Sequence, residues 1–120
     1  MATEQYRRGS YASARAGFQE LLRRYPTADV AADAQYYLAE TYAGEKKAAA
    51  ADTAYAAVVT RYPQSSRAPT ALYKRARARL AAGRRDEART LFEDVARRYP
   101  RSDEAALARE QLRELPRGDA

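Results

Sequence analysis

Apolar residues recur along the chain at intervals of three and four. Ala14, Phe18, Leu21 and Tyr25 are spaced as the stripe of one helix face. The same stripe returns as Ala51, Tyr55, Val58 and Tyr62, then as Ala88, Phe92, Val95 and Tyr99, each 37 residues after the last. A second set keeps the same shift: Ala31, Ala68 and Ala105, with Ala34, Ala71 and Ala108. The tripeptide Arg-Tyr-Pro stands at residues 24–26, 61–63 and 98–100. Each proline stops a helix, because its ring biases the preceding Tyr away from the right-handed helical region. Self-similarity at a fixed period of this size marks a repeat architecture.

The pattern predicts a helix to about Arg8, then helices near 10–24, 28–43, 47–61, 66–82, 85–98 and 102–115. Ser65 and Ser102 follow their prolines by two residues, where a side-chain oxygen can cap the next helix. Asp103 and Glu104 fall in a first turn, where the macrodipole favours negative charge. Gly9 and Gly83 share the column of the turn between the two helices of a repeat. Tyr25, Tyr55, Tyr62 and Tyr99 lie on packing columns and are expected in the core. The expected fold is all-α: antiparallel helical hairpins stacked into a short right-handed solenoid. It comprises about three 37-residue repeats with a truncated first helix and a C-terminal capping helix. Residues 1–115 form a single domain in this reading, and 116–120 a C-terminal tail.

Composition narrows the chemistry. The chain has no Cys, His, Trp, Asn or Ile, and Ala-rich segments favour helix. Without His or Cys the usual general base and nucleophile are missing. The acid pairs Asp86-Glu87, Glu93-Asp94 and Asp103-Glu104 read as helix-start charges or solvated faces, since adjacent helical residues do not face one another. No glycine-rich phosphate loop is present. The expectation is therefore a non-enzyme with no cofactor and no metal. The longest uncharged stretch, Thr53 to Thr60, is too short to span a bilayer. No basic segment followed by an apolar run opens the chain, so no signal peptide is visible.

The net charge of +6 is unevenly placed. Residues 53–85 carry eight basic side chains and no acid, against seven of each sign in residues 1–52. A basic block invites nucleic acid as a partner. Lys74, Arg75, Arg77 and Arg79, however, spread around their helix, whereas a phosphate-tracking surface would align them. Nucleic acid is the disfavoured alternative.

The columns resemble the tetratricopeptide repeat (TPR). Its Leu-small-x-x-Tyr run followed by Ala, an aromatic and Pro appears as Leu38-Ala39-Glu40-Thr41-Tyr42, then Ala51, Tyr55 and Pro63. The lengthened loop Tyr-Pro-x-Ser-x-x-Ala-x-x-Ala, at Tyr99 through Ala108, resembles the C-terminal repeats of Tol-Pal accessory proteins, the YbgF or cell division coordinator type. Ala34-Gln35-Tyr36-Tyr37-Leu38-Ala39-Glu40 is similar to that group's second-repeat signature. The resemblance implies a periplasmic or cell-envelope location, a Tol-system protein as partner, and an upstream coiled coil for trimerisation. Arg75 and Arg79 depart from it, standing where the other repeats have Leu38 and Leu112, and Tyr42. Without Asn, the carboxylate clamp of chaperone-cofactor TPR domains is absent.

The function expected is a non-catalytic protein–protein interaction scaffold binding a peptide or helix in a concave groove. The groove residues are Tyr36, Glu40, Arg67, Thr70, Tyr73, Lys74, Arg77 and Glu114. Glu40, Arg77 and Glu114 share one column with alternating sign, which reads as an internal charge ladder or as a receptor for an acidic residue at Arg77. The alternative is an architectural or oligomerisation spacer without a groove ligand. Met1 aligns with Leu38, so the opening segment matches only the latter half of a repeat's first helix. This leads to the expectation of a fragment of a longer protein, weakly self-associating through its N-terminal edge.

Overall fold

The computed structural model describes residues 2–3 and 10–115. Six helices follow in order: α1 Tyr11–Arg24, α2 Ala31–Gly44, α3 Ala48–Arg61, α4 Arg67–Ala81, α5 Arg85–Arg98 and α6 Asp103–Glu114. Ala2 and Thr3 are also helical. No strand occurs among the described residues. The chain is all-α and built of helical hairpins, as the stripes require. The expected helix to Arg8, the Gly9 turn and the 116–120 tail lie largely outside the described residues. The described part falls into two compact units, residues 1–67 and 68–120.

In the first unit α2 packs against both α1 and α3. Ala14, Phe18 and Ala34 are buried together, with Ala2, Leu21, Leu22, Tyr37 and Leu38 packed around them. Ala14 is 0% exposed and Ala51 only 5%. A methyl group at such positions lets helix axes approach closely, at the short end of the usual 8–10 Å spacing. In the second unit α5 packs against α6. There Ala88, Phe92, Val95, Ala105 and Ala108 are all fully buried. Removing one large apolar side chain of this kind from water contributes about 1.5–3 kcal/mol.

The Arg-Tyr-Pro column ends three helices in one way. Tyr25, Tyr62 and Tyr99 are the C-cap residues of α1, α3 and α5, with φ of −134°, −131° and −129°. Their amides donate to the carbonyls of Leu21, Val58 and Val95 at 2.8, 2.9 and 2.9 Å. The carbonyl of each Tyr then accepts from the residue three further on, closing a tight turn around the proline.

Two expectations fail locally. Tyr25 is 56% exposed and not a core residue. Its column mate Tyr62 is half-buried and donates its hydroxyl to the Pro26 carbonyl of the loop one repeat upstream, at 2.7 Å. Ser102 caps α6 as expected, accepting from the Ala105 amide at 3.0 Å. Ser65 does not cap α4; its buried hydroxyl has no hydrogen-bond partner. Helix α4 begins at Arg67, one residue later than the 37-residue register of α6 places it, so Ser65 sits one residue out from the cap.

Candidate functional site

The first helix of each repeat carries a stripe with spacing three, one and three. In α2 it is Asp33, Tyr36, Tyr37 and Glu40; in α4 it is Thr70, Tyr73, Lys74 and Arg77. The corresponding positions in α6 are Leu107, Glu110, Gln111 and Glu114. Helical geometry gathers each set on one face.

In the first unit this face is an aromatic run crossed by charges. Phe18 stacks on Tyr37 with ring centres 5.9 Å apart, Tyr37 meets Tyr36 edge-on at 5.4 Å, and Tyr36 tilts against Tyr55 at 5.9 Å. The Tyr55 hydroxyl donates to the Glu40 carboxylate, fixing that acid beside the rings. Arg67 closes the other end. Its Nε donates to Asp33 at 2.8 Å and a terminal nitrogen donates to the Tyr37 hydroxyl at 3.3 Å. Its guanidinium lies over the Tyr36 and Tyr37 rings, 4.9 and 5.0 Å from their centres. Burial works against the Arg67 charge, yet the hydrogen bond to Asp33 and the Tyr37 contact outweigh it and raise the pKa. Tyr36 is buried, so its ring serves this cluster more than it offers surface.

In the second unit the face is more open. Thr70 donates to Glu104 at 2.7 Å. Tyr73, half-buried, tilts against Phe92 at 5.6 Å between ring centres. Arg77 is exposed, with its guanidinium 5.9 Å from the Tyr73 ring centre. Among the described residues, neither Arg77 nor the exposed Glu114 takes part in an ion pair. Lys74 is half-buried and already engaged. An exposed guanidinium beside a partly exposed aromatic ring suits a carboxylate followed by an apolar group.

Residues outside the expected set complete the arrangement. Arg67 reaches back 34 positions to Asp33, and Glu104 is reached from Thr70 over the same separation. Position 104 is position 67 shifted by one repeat, as 70 is 33. The sequence signal was therefore present as a pair of columns, but one pair is Arg with Asp and the other Glu with Thr. Only the contact, not the residue type, repeats. No cluster of three or more potential metal ligands occurs among the described residues, and no described helix is long and apolar enough to cross a membrane.

Two family models described as Tetratricopeptide repeat match the chain, one over residues 1–66 and one over 70–102. The chain belongs to the tetratricopeptide repeat family. No curated protein matches it. TPR domains bind protein partners, and this TPR chain is accordingly a protein–protein interaction scaffold.

Proposed function

We propose that this TPR chain is a non-catalytic adaptor of the bacterial cell envelope, working in the periplasm, that binds an acidic peptide segment on the α4 face of its second unit. The observation that supports the reading best is Arg77, exposed, without an ion-pair partner among the described residues, and set beside the Tyr73 ring. In this reading Arg77 receives the partner's carboxylate and Tyr73 the neighbouring apolar side chain. Thr70, Lys74 and Glu114 line the same unit; Tyr36, Glu40 and Arg67 form a separate, pre-ordered face within the first unit. The Arg67 guanidinium is held by Asp33 and two rings, so it acts as a fixed positive edge and not as a mobile arm. The Tyr-Pro-x-Ser loops, by their resemblance to the Tol-Pal accessory group, support a Tol-system protein as the partner.

The test is a pull-down from bacterial envelope extracts with the chain as bait. Recovery of a Tol-system component is expected, with binding lowered about tenfold or more by Arg77→Glu. That defect should shrink in high salt, where charge interactions are screened. Normal binding by Arg77→Glu would move the site off this face. Recovery of no envelope protein would overturn the location.

A further inference from the structure

The first unit contains a second concavity, sharing no residue with the faces described above. It is a groove of about 590 Å³ between α1 and α3, with α2 as its floor. Its apolar lining is Leu22, Leu38, Ala50, Ala54 and Ala57. Along α3 the lining side chains are short, whereas the same columns in α5 hold Glu87, Leu91 and Asp94. The groove thus owes its depth to a local choice of small residues that the next repeat does not share.

Two polar groups address this space. Gln35 is only 4% exposed, and its amide nitrogen donates to the Ala54 carbonyl at 3.0 Å. Its side-chain oxygen accepts nothing from any described residue, and Gln35 lines the groove. That oxygen is not among the buried atoms left without a partner, so it is reachable from the groove and can accept from a ligand's N–H. At one end Arg23 and Arg61 stand in the last turns of α1 and α3. Arg23 is tied to Glu20, but Arg61 is exposed and has no acidic partner among the described residues.

We infer that this groove binds an extended peptide segment of a partner protein, with apolar side chains along the alanine wall and an acidic side chain at Arg61. The span from Ala50 to Arg61 is about 16 Å at the helical rise. That length takes roughly five extended residues. An extended segment is preferred to a helix because its backbone N–H groups are free, so one can donate to the Gln35 oxygen. The N–H groups inside a helix are already used. The surface is independent of the Arg77 face, and either can fail without the other.

The probe is an acetylated, amidated peptide Leu-Ala-Val-Leu-Glu-Glu, titrated into the full chain and followed by NMR of the Gln35 side-chain amide and the Arg61 guanidinium. A companion peptide ends in Lys-Lys instead. The acidic peptide should shift both resonances and bind about tenfold more tightly than the basic one at low salt. Arg61→Glu, an exposed change that leaves the core intact, should reverse the preference. Ala57→Phe should block both peptides, with circular dichroism reporting that the helices persist. Equal binding of the two peptides, shifts confined to Tyr73 and Arg77, or no shift at millimolar peptide would each overturn the inference.

Discussion

Lys46 and Gly83 occupy the same column of successive repeats, and both place the backbone in the left-handed region, with φ of 62° and 80°. Glycine takes that conformation freely, while a residue with a Cβ is strained there by roughly 1–2 kcal/mol. The inter-helix turn is thus a property of the repeat, and one copy meets it with the wrong residue. Lys46→Gly should stabilise the chain by about 0.5–1 kcal/mol, after the extra freedom glycine gives the unfolded state. The reverse change, Gly83→Ala, should cost about 1 kcal/mol through conformation alone. A Cβ there would meet nothing within 4 Å. Thermal melts of both variants check this, and a lower melting temperature for Lys46→Gly would contradict it.

Phe92 and Tyr25 both lie on the apolar stripes, yet their surroundings differ sharply. Phe92 is 0% exposed and Tyr25 is 56% exposed. Phe92→Ala should therefore cost about 3–5 kcal/mol, the range for truncating a buried aromatic. Tyr25→Ala should stay within about 0.5 kcal/mol of the parent, as exposed positions do. Urea unfolding of the two variants measures both values. Comparable losses at the two sites would mean that Tyr25 is covered in solution.

Gly44 faces the Tyr11 ring so closely that an added Cβ would run into it. Tyr11 begins α1 and Gly44 ends α2, so the glycine admits the ring where two helices meet. Gly44→Ala alone should destabilise, because the ring must swing away. In a Tyr11→Ala background the same change should become neutral or stabilising by a few tenths of a kcal/mol, as alanine's helix propensity takes over. A double-mutant cycle exposes that change of sign.

The periodic stripes made the fold legible. Ala14, Phe18, Val58, Val95 and Ala105 sit where spacings of three and four put them, because burial of a helix face acts on residue type directly. The limits of sequence reading show at Tyr25, which shares a column with Tyr62 yet lies exposed, while Tyr62 donates to the Pro26 carbonyl. They show again at Ser65, where a one-residue delay in helix start moves the cap. The candidate faces were legible as columns, since Tyr36, Glu40, Tyr73 and Arg77 follow from the register. What the register could not reveal was how strongly each side chain is already engaged. Arg67 and Arg77 are alike as letters, but one is held by Asp33 and two rings while the other stands exposed beside one. The alanine-walled groove was also hidden, because alanine in a helix carries no signal distinguishing close packing from open space.

Arg15 connects stability to pH. Its guanidinium lies 4.5 Å from the Tyr42 ring centre and 2.9 Å from the Glu45 carboxylate, joining α1 to the end of α2. Arg89 makes the matching reach in the second unit, donating to the Leu115 carbonyl 26 residues on at 2.8 Å. The Arg15 guanidinium beside it holds the Glu45 carboxyl below the ordinary glutamate value of 4.5; burial works against this, and Lys47 reinforces it. A carboxyl whose pKa is lower folded than unfolded binds more protons in the unfolded state. Its contribution is therefore complete above pH 4.5 and fades as the pH falls through the folded value. The Glu20 carboxylate is shifted in the same direction by Arg23, but that pair is exposed on the surface of α1. The melting temperature should thus begin to fall below about pH 4.5, and Glu45→Gln should flatten part of that decline. At neutral pH the variant should melt lower than the parent, and the two curves should converge in acid. Adding salt should weaken the Glu20 contribution more than that of Glu45, because the Arg15 side chain is only 14% exposed while Arg23 is 70% exposed. Parallel melting curves for Glu45→Gln and the parent from pH 7 to pH 3 would show that the Arg15 contact carries no linkage to folding.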